Sequence, residues 1–191
     1  VMLRELIDRI RNDGRTIFTA TRSTGQIEEG PVGYSIVTID RRTISWRFRR
    51  LGDNMPIVLI TTPADRRLAT DSEDKSHWPR GECEVRASVL GRAPIVRCVC
   101  GFEGGGLEPM QPIGAGRFSL TLPIPDGSRK LIVEAQDSKG AIGCEWIELA
   151  TEADLAAHRH ADGSDADAIE AWEERGLLGT QLGPSRNGRQ W

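Results

Sequence analysis

The 191-residue chain carries 25 Lys and Arg against 28 Asp and Glu, a net charge of −3, so it lacks the dominant basic surface of a general nucleic-acid binder. With 38% hydrophobic residues it can bury a core, yet no stretch approaches the ~20 consecutive apolar residues that cross a bilayer. Neither a nucleic-acid nor a membrane partner is expected. The chain opens at Val1 with no apolar run of signal-peptide type, and we expect a fragment truncated at its start.

Charge divides the chain into three segments. Residues 1–52 hold ten basic and six acidic side chains, residues 53–150 hold 11 and 14, and residues 151–191 hold 4 and 8. The breaks fall at Gly52-Asp53-Asn54 and after Leu149, where the strand patterns also stop.

In chain order, Leu3, Leu6, Ile7 and Ile10 recur at i, i+3, i+4, i+7, which predicts a short amphipathic helix ended by Asn12-Asp13-Gly14. A strand is expected over 16–20. Residues 34–39 and 43–48 predict a hairpin about Asp40-Arg41-Arg42, with Ile44, Trp46 and Phe48 on one face. Fewer than ~60 residues bury too little surface to stand comfortably alone, so this segment must lean on the next one or on an absent partner.

From 53 to 150 the period is 2. Cys83, Val85, Ala87 and Val89 alternate with Glu82, Glu84, Arg86 and Ser88, which predicts one dry and one wet face. Val96, Cys98, Cys100 and Phe102 are expected to face one way, as are Phe118, Leu120 and Leu122, then Leu131, Val133 and Ala135. Residues 141–149 close the set, and 57–61 precede it. Six or seven short strands at this spacing predict a mainly β fold, an immunoglobulin-like β-sandwich preceded by a short helix and a β-hairpin segment. The tail, acidic and then Gly-rich, is expected to be irregular with one short helix near Ile169 and Trp172. Its apolar anchors Trp172, Leu177, Leu178, Leu182 and Trp191 favour docking on the body.

Chemistry is sparse. Cys83, Cys98, Cys100 and Cys144 lack the C-x2-C spacing of structural zinc, and Cys98-x-Cys100 lies mid-strand, so core packing is favoured over a disulfide or a metal. A reducing, cytoplasmic compartment follows as the milder inference. His158-x-His160, with Asp162, Asp165 and Asp167, fits a solvated turn better than an ion site. No nucleophile triad, G-x-S-x-G or phosphate loop occurs. The hydroxyl-rich run 19–30 fits an ordered connection and an active-site neighbour equally well.

Residues 22–34, reading RSTGQIEEGPVGY, then Ser45-Trp46-Arg47-Phe48 and Leu51-Gly52, resemble the end of a calcineurin-like metallophosphoesterase domain, in the branch of cyclic-nucleotide phosphodiesterase-like phosphohydrolases. The run 56–65 and the terminal 179–188 fit the same likeness. The resemblance implies that residues 1–52 are the last strands of a catalytic domain, that 53–150 are an accessory immunoglobulin-like domain, and that 151–191 dock on the body. It also implies a phosphoester substrate and two divalent metal ions in the parent enzyme. The metals lie about 3.5 to 4 Å apart in such hydrolases. The family's D-x-H, G-D, G-N-H-[DE] and G-H-x-H motifs are missing, and Gly52-Asp53, followed by Asn54-Met55-Pro56, cannot replace the bridging aspartate. No metal ligand, cofactor or catalytic residue is therefore expected in this chain, which alone should be inactive. Arg22, Gln26 and Glu28 are the substrate-proximal candidates. A homo-oligomer through residues 1–52 is expected. The rival reading is a free-standing immunoglobulin-like binding module.

Overall fold

The computed structural model describes residues 15–21, 33–50, 52–69 and 75–159, and its backbone is mainly β. Two four-stranded antiparallel sheets form the body. One runs β4 (Ile57–Thr62), β5 (Glu82–Leu90), β9 (Arg117–Pro123), β8 (Gln111–Gly114). The other runs β11 (Ile142–Glu148), β10 (Lys130–Asp137), β6 (Ile95–Phe102), β7 (Glu108–Pro109). Their inner faces meet in one core, where Val58, Ile60, Cys83, Val85 and Ala87 pack against Cys98, Cys100, Leu131, Val133 and Ile147. Each fully buried aliphatic side chain here contributes about 1.5–3 kcal/mol. The β-sandwich expected from the period-2 pattern is present.

Two details of that pattern are corrected. Val96 does not join Cys98, Cys100 and Phe102 in the core; it is 64% exposed. The pairing steps from Gln136 opposite Arg97 to Asp137 opposite Ile95, so Val96 is the extra residue of a bulge, and Ile95 packs on the core in its place. Arg86, expected on the wet face of β5, is buried. What covers it is a third sheet.

That sheet is antiparallel in the order β1 (Arg15–Thr21), β2 (Gly33–Asp40), β3 (Thr43–Arg50). β2 and β3 are joined by the two residues Arg41 and Arg42. Such short hairpin loops require a positive φ, and Arg41 takes it at 56°. The turn is held by the Thr43 hydroxyl, which donates to the Asp40 carbonyl at 2.8 Å. The sheet lies against the outer side of β4, where Ile36 covers Ile57 and Leu59, with Tyr34, Met55 and Leu90 around them. β4 is thus buried on both faces.

Alternation decides which face of the small sheet looks where. Ile36, Thr38, Asp40 and Thr43 are buried toward the sandwich, so Val37, Ile39, Ile44, Trp46 and Phe48 turn the other way. Ile44 is exposed and the other four are half-buried. The more polar face of the hairpin is the one that meets the sandwich. β11 comes close to β4 at the opposite side, where a Cβ at Gly143 would lie 2.1 Å from the Pro56 carbonyl oxygen. Only glycine permits that approach.

After β11 the chain forms one helix, α1 (Glu152–Arg159), not expected at this position. Thr151 and Asp154 make a reciprocal cap: the Thr151 amide donates to Asp154 Oδ2 at 2.8 Å, and the Asp154 amide donates to Thr151 Oγ1 at 3.3 Å. Leu155 is buried among Ala64, Ala69 and Ala150, against Trp78. The helix expected over 3–11, the run 22–32 and the tail helix near Trp172 lie outside the described residues.

All four cysteines are free, and Cys83, Cys98 and Cys100 are buried in the core as expected. Burial pushes each of these three thiols up to about 12. A thiol reagent at neutral pH is expected to label Cys144 alone in the folded protein, the core thiols reacting only after denaturation. Rapid labelling of a second thiol under native conditions contradicts this burial.

Candidate functional site

The seam between the three-stranded sheet and the sandwich gathers most of the buried charge. Asp40 ends β2 and points at the outer face of the β4–β5 sheet. Its Oδ2 accepts from Arg86 Nε at 2.9 Å and from the Thr61 hydroxyl at 2.8 Å. Both side chains of the pair are about nine-tenths buried. Thr43 donates to the Thr61 carbonyl, and Thr38 and Ser45 share a short hydroxyl contact. Outside this knot Glu84 lies 3.8 Å from Arg86 Nη1 and 3.2 Å from Arg41 Nη1, in water's reach.

A second buried acid closes the other side. Glu145 on β11 is 3% exposed; its Oε2 accepts the Ile60 amide of β4 at 2.7 Å, and its Oε1 lies 3.4 Å from Arg47 Nη1 of β3. β4 is the edge strand of its sheet, and the carboxylate receives one of its amides there. One side chain therefore ties three sheets together.

Beside the Asp40–Arg86 pair is a cavity of about 220 Å³, lined among others by Thr38, Ser88, Leu90, Ile113 and Arg117. β2 forms one wall, the outer face of β5 the floor, and the β8–β9 hairpin the rim. Gly116 shapes that hairpin, since it has φ 69° and a Cβ there would stand 2.6 Å from the Val89 carbonyl oxygen. The Nη1 atom of Arg117 is buried and has no hydrogen-bond partner. A guanidinium is always charged and carries only donors, which makes this an anion-seeking group.

The sequence candidates stand elsewhere. Arg22, Gln26 and Glu28 lie outside the described residues. Asp53 serves a turn, accepting the Arg50 amide at 2.9 Å beside Arg49. His77 is buried and its Nε2 donates to the Arg42 carbonyl at 3.0 Å, a satisfied structural histidine. Among the described residues no three His, Cys, Asp or Glu side chains are placed to hold a metal ion. Sequence reasoning missed Asp40, Arg86 and Arg117. The one signal available was the tight Gly114-Ala115-Gly116 turn next to a basic residue.

The seam gives a direct expectation for stability. Asp40→Ala should lower the free energy of unfolding by about 3 kcal/mol, because it leaves the buried Arg86 with only Glu84, 3.8 Å away and in water's reach. Replacing both partners, as Asp40→Leu with Arg86→Met, should recover part of that loss. Denaturant unfolding measures both, and a single-variant loss below about 1 kcal/mol would mean that water reaches Arg86. A scan against protein-family models finds no match to this chain, and searches of curated proteins and of solved structures find none either.

Proposed function

We propose that this chain is the C-terminal part of a metal-dependent phosphoester hydrolase, in which the sandwich braces the last strands of the catalytic domain. The observation that carries the reading is the small sheet's second face. Val37, Ile39, Ile44, Trp46 and Phe48 form an apolar second face turned away from the sandwich, which suits a sheet that is one layer of a larger domain. On this reading the remainder of the catalytic domain packs on that side and supplies the metal ligands. The run from Arg22 to Tyr34 that resembles the phosphoesterases then enters the sheet at the start of β2. Arg22, Gln26 and Glu28 fall in that run, between β1 and β2, and Arg22 suits a phosphoryl oxygen through its bidentate fork.

The immunoglobulin-like reading of the sandwich is supported by strand order. β4-β5-β9-β8 against β11-β10-β6-β7 follows the arrangement in which the first, second, fifth and fourth strands face the third, sixth and seventh, with one short strand added beside the third. The disulfide of antibody domains has no counterpart, since all four cysteines are free. In the chain taken alone, this face, on which Ile44 is exposed, is the contact we propose for a homo-oligomer through residues 1–52.

The reading frame upstream of Val1 is expected to encode the D-x-H and G-N-H-[DE] ligands, and the extended protein to hydrolyse a p-nitrophenyl phosphodiester in excess manganese. The 191-residue chain should show no turnover. In the extended enzyme Arg22→Ala should lower kcat/KM with the Tm unchanged. An in-frame stop directly upstream, or an extended protein without hydrolase activity, overturns the hydrolase reading in favour of a free-standing binding module. Light scattering tests the contact face separately: the chain should associate and Ile44→Glu should reduce its mass, whereas a monomeric parent chain at high micromolar concentration removes the oligomer.

A further inference from the structure

We propose that α1 is a salt-released latch, seated through Leu155 and Asp154 in a socket that the body of the protein holds open without it. The socket comes first. Ala64 and Ala69 lie in the connection after β4, and the backbone fixes that connection from two sides: the Ala64 amide donates to the Ser76 carbonyl at 2.8 Å, and the Arg66 amide to the Glu148 carbonyl of β11 at 2.7 Å. The Leu149 amide donates to the Arg129 carbonyl at 2.9 Å and sets the opposite rim. None of these bonds involves α1. Ala64, Ala69 and the Trp78 ring therefore keep their places when the helix leaves.

The helix depends on the socket more than the socket on the helix. An isolated helix shorter than about 12 residues is marginal in water, and α1 has eight, so it forms by virtue of its docking. Among its described side chains Leu155 alone is buried; Glu152 and Ala153 are exposed. The rest of the contact is ionic. Asp154 Oδ2 accepts from Arg129 Nη2 at 2.9 Å, Asp154 Oδ1 lies 3.7 Å from Arg66 Nη1, and Arg66 Nε donates to Glu148 Oε2 at 2.9 Å.

Exposure separates these ion pairs from the one at the seam. Arg66 and Arg129 keep 35% and 45% of their side-chain surface in water, whereas Arg86 and Asp40 keep 10% and 8%. Dissolved ions reach the first set and not the second, and the screening length falls from ~30 Å at 0.01 M salt to ~3 Å at 1 M. Salt thus loosens α1 while the seam and the core stay closed, and α1 opens as a local unit ahead of global unfolding. Release moves the last fixed point of the described chain from Arg159 back to Ala150. The latch stands whether the chain is part of a hydrolase or a free-standing module.

The experiment is amide hydrogen exchange, read by NMR on the full chain at 0.05 and 1 M sodium chloride. The probe is the Leu155 amide, which donates to the Thr151 carbonyl at 3.1 Å, and the references are the Val85 and Leu131 amides of the central strands β5 and β10. Leu155 should exchange faster than the references at low salt and about fivefold faster again at 1 M, with the references not accelerated. Arg66→Gln with Arg129→Gln, which leaves the Thr151–Asp154 cap in place, should bring the faster exchange already at low salt and remove its salt dependence. Asp154→Asn should do the same, and it decides the matter if the double variant fails to fold. Leu155 exchanging no faster than the references overturns the proposal. So does an absent salt response in the folded wild-type chain, or one that survives in a folded variant.

Discussion

A carboxylate and a guanidinium that have both left water must keep each other, and Asp40 with Arg86 is such a pair. Desolvating each ion costs several kcal/mol, so neither residue has a low-energy environment without the other. The pair spans two units that pattern alone separates, the hairpin and the sandwich. With Thr61 as shared donor, it fixes where β2 can end and how β5 must be turned. Glu145 imposes the same condition from the far side through Ile60 and Arg47. Ile36 over Ile57 and Leu59 supplies the apolar contact between these two polar anchors. Hydrophobic burial of that size allows several dockings, while two buried carboxylates with assigned partners allow one.

The sandwich was legible because its signal is local. Strands such as β5 and β10 alternate residue by residue, and the pleat turns alternation directly into an inside and an outside. The errors arose where pairing departs from regularity. Nothing in Pro94-Ile95-Val96-Arg97 announces that a bulge will send Val96 outward, because the bulge is a matter of register with Gln136 and Asp137 on the partner strand. The hairpin was legible as a hairpin, down to its turn and to Ile44, Trp46 and Phe48 sharing a face. Which face meets the sandwich was not, since the usual rule puts the apolar side against the nearest core. Here Thr38, Asp40 and Thr43 go inward. The capping pair Thr151 and Asp154 before Leu155 is a readable helix start, but the short acidic helix that follows it offers only one buried apolar anchor. The cavity was not readable at all: Thr38, Ser88 and Arg117 are far apart in sequence, and no spacing rule joins them.

The same seam separates two kinds of functional statement. Phosphoester hydrolysis is a proposal that rests on residues that resemble a family and on an apolar sheet face turned away from the sandwich. The cavity at the seam lies on the other side of β2 from that face. The two meet physically, because the strand that carries Val37 and Ile39 on one side carries Thr38 and Asp40 on the other.

The outermost strands of the sandwich bear on solubility. β7 is two residues long and ends in Pro109, and β8 carries Pro112 in its four residues. Proline offers no amide to an incoming strand, and a two-residue strand gives little length to copy, so these two margins are poor templates for cross-β growth. At the other margin of the β4–β5 sheet, Glu145 occupies the Ile60 amide, a donor that would otherwise be open to a foreign carbonyl. The carboxylate that joins three sheets thus also keeps the Ile60 amide from serving as a donor to a foreign strand.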